Sequence, residues 1–64
     1  MKNLKKNRLL HELTSEQMAK LLHTTQATYS RWESGKVEIP LHKLIEIADF
    51  FNLTLDYLAD RTEK

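Results

Sequence analysis

A chain of 64 residues has room for one small domain, 1–64, which buries only about 60% of the surface its unfolded form exposes. At 41% hydrophobic and 30% charged it is too apolar for a disordered chain, and having no cysteine it excludes a disulfide scaffold, a thiol nucleophile and a cysteine-ligated zinc. The net charge of +1 hides an asymmetry: residues 1–36 carry seven basic and three acidic groups, a balance of +4, and residues 37–64 carry three basic and six acidic, a balance of −3. A basic half can face phosphates while an acidic half faces solvent or a partner. No apolar run approaches the roughly 18 residues of a membrane span, and the lysine-rich start leads into no signal-peptide stretch, so the expected location is the cytoplasm with no membrane partner.

One glycine and one proline leave little turn chemistry for strands, and the capping signals divide the chain into five helices. The first is expected from about Lys2 to His11, with Leu4 and one of Leu9 and Leu10 inward and the lysines on the outer side. The second starts after Thr14, where Thr14 and Gln17 have the spacing of a capping box, and it runs to about Leu22 on a stripe of Met18, Ala19 and Leu22. His23-Thr24-Thr25 follows, with Thr25 as the next N-cap. The third spans about Gln26 to Glu33, with Tyr29 and Trp32 on one face, and stops at Ser34-Gly35, where Gly35 supplies the left-handed conformation. Pro40 suits the first turn of a fourth helix from about Leu41 to Phe51, which buries Leu44, Ile47, Ala48 and Phe51 and ends at Asn52. Thr54 opens a short fifth helix to about Asp60.

Two short helices joined by a three-to-four-residue turn have the helix-turn-helix layout. The second of them exposes Gln26, Ala27, Ser30 and Arg31 on the face opposite Tyr29 and Trp32. Glutamine can pair bidentately with adenine and arginine with guanine, and an alanine methyl can meet a thymine methyl. The same residues on an amphipathic helix are also compatible with a merely solvated face.

Arg8, Leu13 to Ala19, Leu22, Thr25, Ser30 to Lys36, Pro40, Leu44, Ile47-Ala48 and Leu53 to Leu58 together resemble the helix-turn-helix family of phage repressors and Cro proteins, also called the xenobiotic response element family. The match covers nearly the whole chain. It implies an all-α, compact five-helix, lambda-repressor-like fold. It also implies a sequence-specific DNA-binding transcriptional regulator, expected to repress by excluding polymerase. By position, Gln26, Ala27, Ser30 and Arg31 fall where the family reads bases. Ser15, Thr25, Thr28 and Lys36, with His42 and Lys43 through the backbone amides near Leu41 to Lys43, fall where backbone phosphates are held, although Ser15 and Thr25 could serve as caps alone. Arg8 and Glu33 fall where a partly buried ion pair ties the first helix to the end of the third. The segment around Leu55, Tyr57 and Leu58 falls where the family forms a small two-fold dimer contact, with Leu58 partly in the core and Tyr57 at its rim. A weak homodimer on a palindromic operator of double-stranded DNA follows.

Three departures stand out. His23 and Glu12 occupy positions where the family often has glycine, and Ser15 replaces a usual glutamine. The three histidines (11, 23 and 42) lack ligand spacing, Asp49, Asp56 and Asp60 make no catalytic pair, and one glycine cannot form a phosphate-cradling loop. No metal, cofactor, small-molecule ligand or enzymatic activity is therefore expected. The alternative function is a protein-interaction module, antitoxin-like or scaffolding, favoured by the acidic, apolar-studded second half.

Overall fold

The computed structural model describes residues 1–61, and these form five α-helices with no strand among them. They are α1 (Lys2–Leu10), α2 (Ser15–Leu21), α3 (Gln26–Ser34), α4 (Leu41–Phe51) and α5 (Leu55–Leu58). Three threonines start helices as expected. The Thr14 hydroxyl accepts from Gln17 N while Gln17 Oε1 accepts from Thr14 N, and the Thr25 and Thr54 hydroxyls accept from Thr28 N and Tyr57 N. Pro40 stands one residue outside α4 with ψ 141°, so its fixed φ leads into the helix rather than forming its first turn.

Four helices end in one repeated device. Glu12, His23, Asn52 and Asp60 all have φ between 56° and 62°. Each donates its N–H to the carbonyl three residues back, and the following residue donates to the carbonyl five back, as in Leu13 to Arg8 and Thr24 to Ala19. This is the hydrogen-bond pattern of a Schellman end, normally closed by glycine. Glycine closes only α3, where Gly35 has φ 83°. A side chain in that left-handed region costs energy, so the chain ends four helices on residues less suited to it, asparagine excepted.

The core joins Leu4 of α1, Met18, Ala19 and Leu22 of the α2 segment, Tyr29 and Trp32 of α3, Leu44, Ile47, Ala48 and Phe51 of α4, and Leu58 of α5. Ile39, in the connection between α3 and α4, is buried with them. The expected inward leucine of α1 is a correction: Leu9 and Leu10 are 55% and 68% exposed. The helical register explains it. Leu4 points inward, so the next inward positions are 7 and 8, and these hold Asn7 and Arg8. Both polar side chains are bonded there. Asn7 Nδ2 donates to Asn3 O and to the Tyr57 hydroxyl, each at 2.9 Å.

Candidate nucleic-acid interface

The exposed face of α3 is built by register. In α3, Tyr29 and Trp32 are buried against the core, and Gln26, Ala27, Ser30 and Arg31 are all exposed on the remaining surface. The start of α3 is tied to the start of α2: Gln26 Nε2 donates to Ser15 Oγ at 3.0 Å. The short serine therefore still reaches the glutamine that leads the exposed face. Thr25 and Thr28 form a compact knot, with the Thr25 hydroxyl accepting from Thr28 N and donating to Thr28 Oγ1.

Lys36 and His42 are exposed, one just past Gly35 and the other in the first turn of α4. Lys43 is placed differently. Its ammonium donates to Leu22 O at 2.5 Å and lies 3.7 Å from Glu46. It closes the end of the α2 segment, as a strut between α2 and α4 rather than a free cation.

The Arg8–Glu33 pair is present and bidentate, Nε to Oε2 at 2.9 Å and Nη2 to Oε1 at 3.2 Å, with both side chains 12% exposed. Arg8 Nη1 also donates to Leu13 O. Glu33 has a third donor that the sequence reading missed: the Tyr29 hydroxyl, at 2.5 Å. The i, i+4 spacing of Tyr29 and Glu33 was the available signal. Burial alone would raise the Glu33 pKa, but the hydrogen bonds from Arg8 and Tyr29 and the charges of Arg8 and Lys5 outweigh it and hold the carboxyl below its usual value. The hydrogen bond to Glu33 raises the Arg8 pKa, and burial followed by the same carboxylate pushes the Tyr29 phenol well up. The three groups are thus fixed as cation, anion and neutral phenol across the neutral range.

The dimer expectation meets a different geometry. Leu58 is fully buried and Tyr57 is 8% exposed, its hydroxyl held by Asn7, so both belong to the protomer's own interior. Tyr57 is not at a rim. Leu55, at 37%, is the exposed member of the three. Phe50 adds a further exposed aromatic on α4. Among the described residues no cluster of histidine and carboxylate side chains could hold a metal ion, and no helix is long and apolar enough to cross a membrane.

A helix-turn-helix family model matches residues 4–58. The chain is 30% identical over 60 residues to the HTH-type transcriptional regulator YobD of Bacillus subtilis (strain 168), an alignment covering 94% of this chain and 54% of that protein. It is 39% identical over 51 residues to the HTH-type transcriptional activator BcrR of Enterococcus faecalis, covering 80% and 25%. It is 39% identical over 56 residues to the HTH-type transcriptional regulator YqaE of Bacillus subtilis (strain 168), covering 88% and 48%. The chain thus spans about half the length of two of these relatives and a quarter of the third. No solved structure gives a significant match.

Proposed function

The chain belongs to the helix-turn-helix family, and from that premise we propose that it is a sequence-specific, double-stranded-DNA-binding transcriptional regulator that inserts α3 into the major groove. The observation that carries this reading is the exposed run Gln26, Ala27, Ser30 and Arg31 on a helix whose other face is anchored by Tyr29 and Trp32. Gln26 and Arg31 read base edges, and Ala27 and Ser30 fill the face between them. Ser15, Thr25, Thr28, Lys36 and His42 hold the flanking phosphates, and Lys43 contributes through the position of α4. A weak two-fold dimer, with Leu55 as its exposed apolar contact, would set two α3 helices about 34 Å apart on a palindromic operator. Repression by excluding polymerase is the working sense of regulation. One relative is named an activator, so operator position rather than fold would set the sign.

Selection of bound sequences from a random duplex pool tests this directly. It should return a half-site motif whose affinity falls steeply between 50 and 200 mM salt. A pool that never enriches would end the proposal. In the selected duplex, Arg31→Ala should cost about 1–3 kcal/mol and relax one base position. Equal weakening on all sequences would make Arg31 a phosphate contact instead.

The second reading, a protein-interaction module, is favoured by an apolar groove of about 470 Å³ lined by Trp32, Val37, Ile39, Leu41 and Leu44. An apolar contact would be nearly insensitive to salt over the same range, so the salt titration separates the two.

A further inference from the structure

Arg8 shares its face of α1 with Lys5, one turn earlier. Lys5, Arg8, Ser15, Ser30, Glu33 and Ser34 together line a polar hollow of about 240 Å³. Two of its walls, Ser15 and Ser30, also border the face assigned above to DNA. The charges inside do not cancel. Glu33 is matched by Arg8 and accepts three hydrogen bonds, so although the charge of Lys5 also acts on Glu33, its ammonium leaves the hollow with one net positive charge. Among the described residues Lys5 forms no ion pair or side-chain hydrogen bond, and the Ser30 hydroxyl is also unengaged. Ser15 Oγ accepts from Gln26, so its own hydrogen is still available to donate. A cation and two hydroxyl donors around a hollow of this size suit one anionic phosphodiester.

We propose that this hollow seats a phosphate of the DNA backbone, with Lys5 as its charged contact and Ser15 and Ser30 as neutral donors, so that α1 forms part of the DNA-binding surface. The proposal rests on the DNA-binding reading and extends it to a helix outside the helix-turn-helix pair. Phosphate contacts of this kind fix register without reading sequence. With Ser15 bonded to Gln26, a phosphate held here would set the depth at which Gln26 enters the groove.

The test is Lys5→Gln, which leaves Arg8 and Glu33 untouched. Wild type and variant are titrated from 50 to 200 mM salt against a duplex recovered by selection and against a random duplex. The slope of log K against log salt should fall by about 0.9 in the variant, and affinity should drop about tenfold at 50 mM salt on both duplexes alike. An unchanged slope, with wild-type affinity retained, would overturn the contact while leaving the DNA reading standing. A loss confined to one base position would make Lys5 a base reader and overturn it as well. Inorganic phosphate titrated at constant ionic strength provides a second arm: saturable low-millimolar shifts of the Ser30 and Ser34 amides, with an unchanged duplex slope for Lys5→Gln, would make this a free-anion site and overturn the DNA contact. If the wild-type chain binds no duplex at all, the DNA reading and this contact fall together.

Discussion

Glu33 accepts two hydrogen bonds from Arg8 and one from Tyr29. With both ion-pair side chains 12% exposed, Arg8→Ala should cost near the lower end of the about 3–5 kcal/mol expected for breaking a buried pair. A loss below about 0.5 kcal/mol in denaturant titration would show the pair to be ornamental on the scale of surface bridges. The pH dependence has two limbs. The Glu33 pKa is lowered on folding, so its stabilisation is complete above the ordinary value of 4.5 and is lost as pH falls through the lowered folded value. The Tyr29 pKa is raised on folding, so its contribution is complete below the ordinary value of 10.0 and is lost as pH climbs above it. Tyr29→Phe should flatten the alkaline limb in thermal melts from pH 9 upward and leave much of the acid limb in place. The backbone makes its own prediction. His23 and Glu12 both sit at φ 56°, so His23→Gly and Glu12→Gly should each stabilise by about 1 kcal/mol. Asn52→Gly should gain less, because asparagine already tolerates that region. A destabilised His23→Gly would contradict the strained turn.

At the scale of helices, ends were easier to read than faces. Thr14, Thr25, Thr54, Gly35 and Asn52 act through neighbours within a few residues, so their roles are written locally. The inward face of α1 departs from the hydrophobic pattern, which points to Leu9 and Leu10, whereas the helix turns Asn7 and Arg8 inward at the turn after Leu4. Those polar side chains are tolerable inside because Tyr57 and Glu33 meet them, and nothing local to α1 announces partners 50 and 25 residues away. Lys43 is similar: its bond to Leu22 O spans 21 residues and depends on how α4 crosses the end of α2. This separates two roles for one lysine. As a strut, Lys43→Ala should cost about 1–2 kcal/mol and speed amide exchange in the last turn of α2 while leaving the salt slope of DNA binding unchanged. A slope reduced by about 1, with stability intact, would return Lys43 to the phosphate contacts.

Across the whole molecule, the helix-turn-helix pair is only part of the apparatus. The exposed face of α3 was legible because four polar or small residues occupy the register left free by Tyr29 and Trp32. The supports of that face were not, apart from the Arg8–Glu33 pair that the family pattern supplied, because they come from α1, α4 and α5 through contacts that only the assembled fold creates. The longest-range of these lies at the start of α1. The Asp60 carboxylate accepts from Lys2 N at 2.9 Å and Asn3 N at 2.8 Å, capping a helix that Met1 leaves without a side-chain cap. Asn3 Nδ2 completes the clasp on Tyr57 O. These bonds join residues 54 to 58 positions apart, so they form only after the intervening helices have condensed and the loop-closure entropy has been met. In kinetic terms the clasp belongs to the native side of the folding barrier. Asp60→Ala should therefore accelerate unfolding with the refolding rate nearly unchanged, a φ-value near zero. The helix carrying Arg8 would then be the first to leave a molecule that otherwise keeps its helix-turn-helix pair.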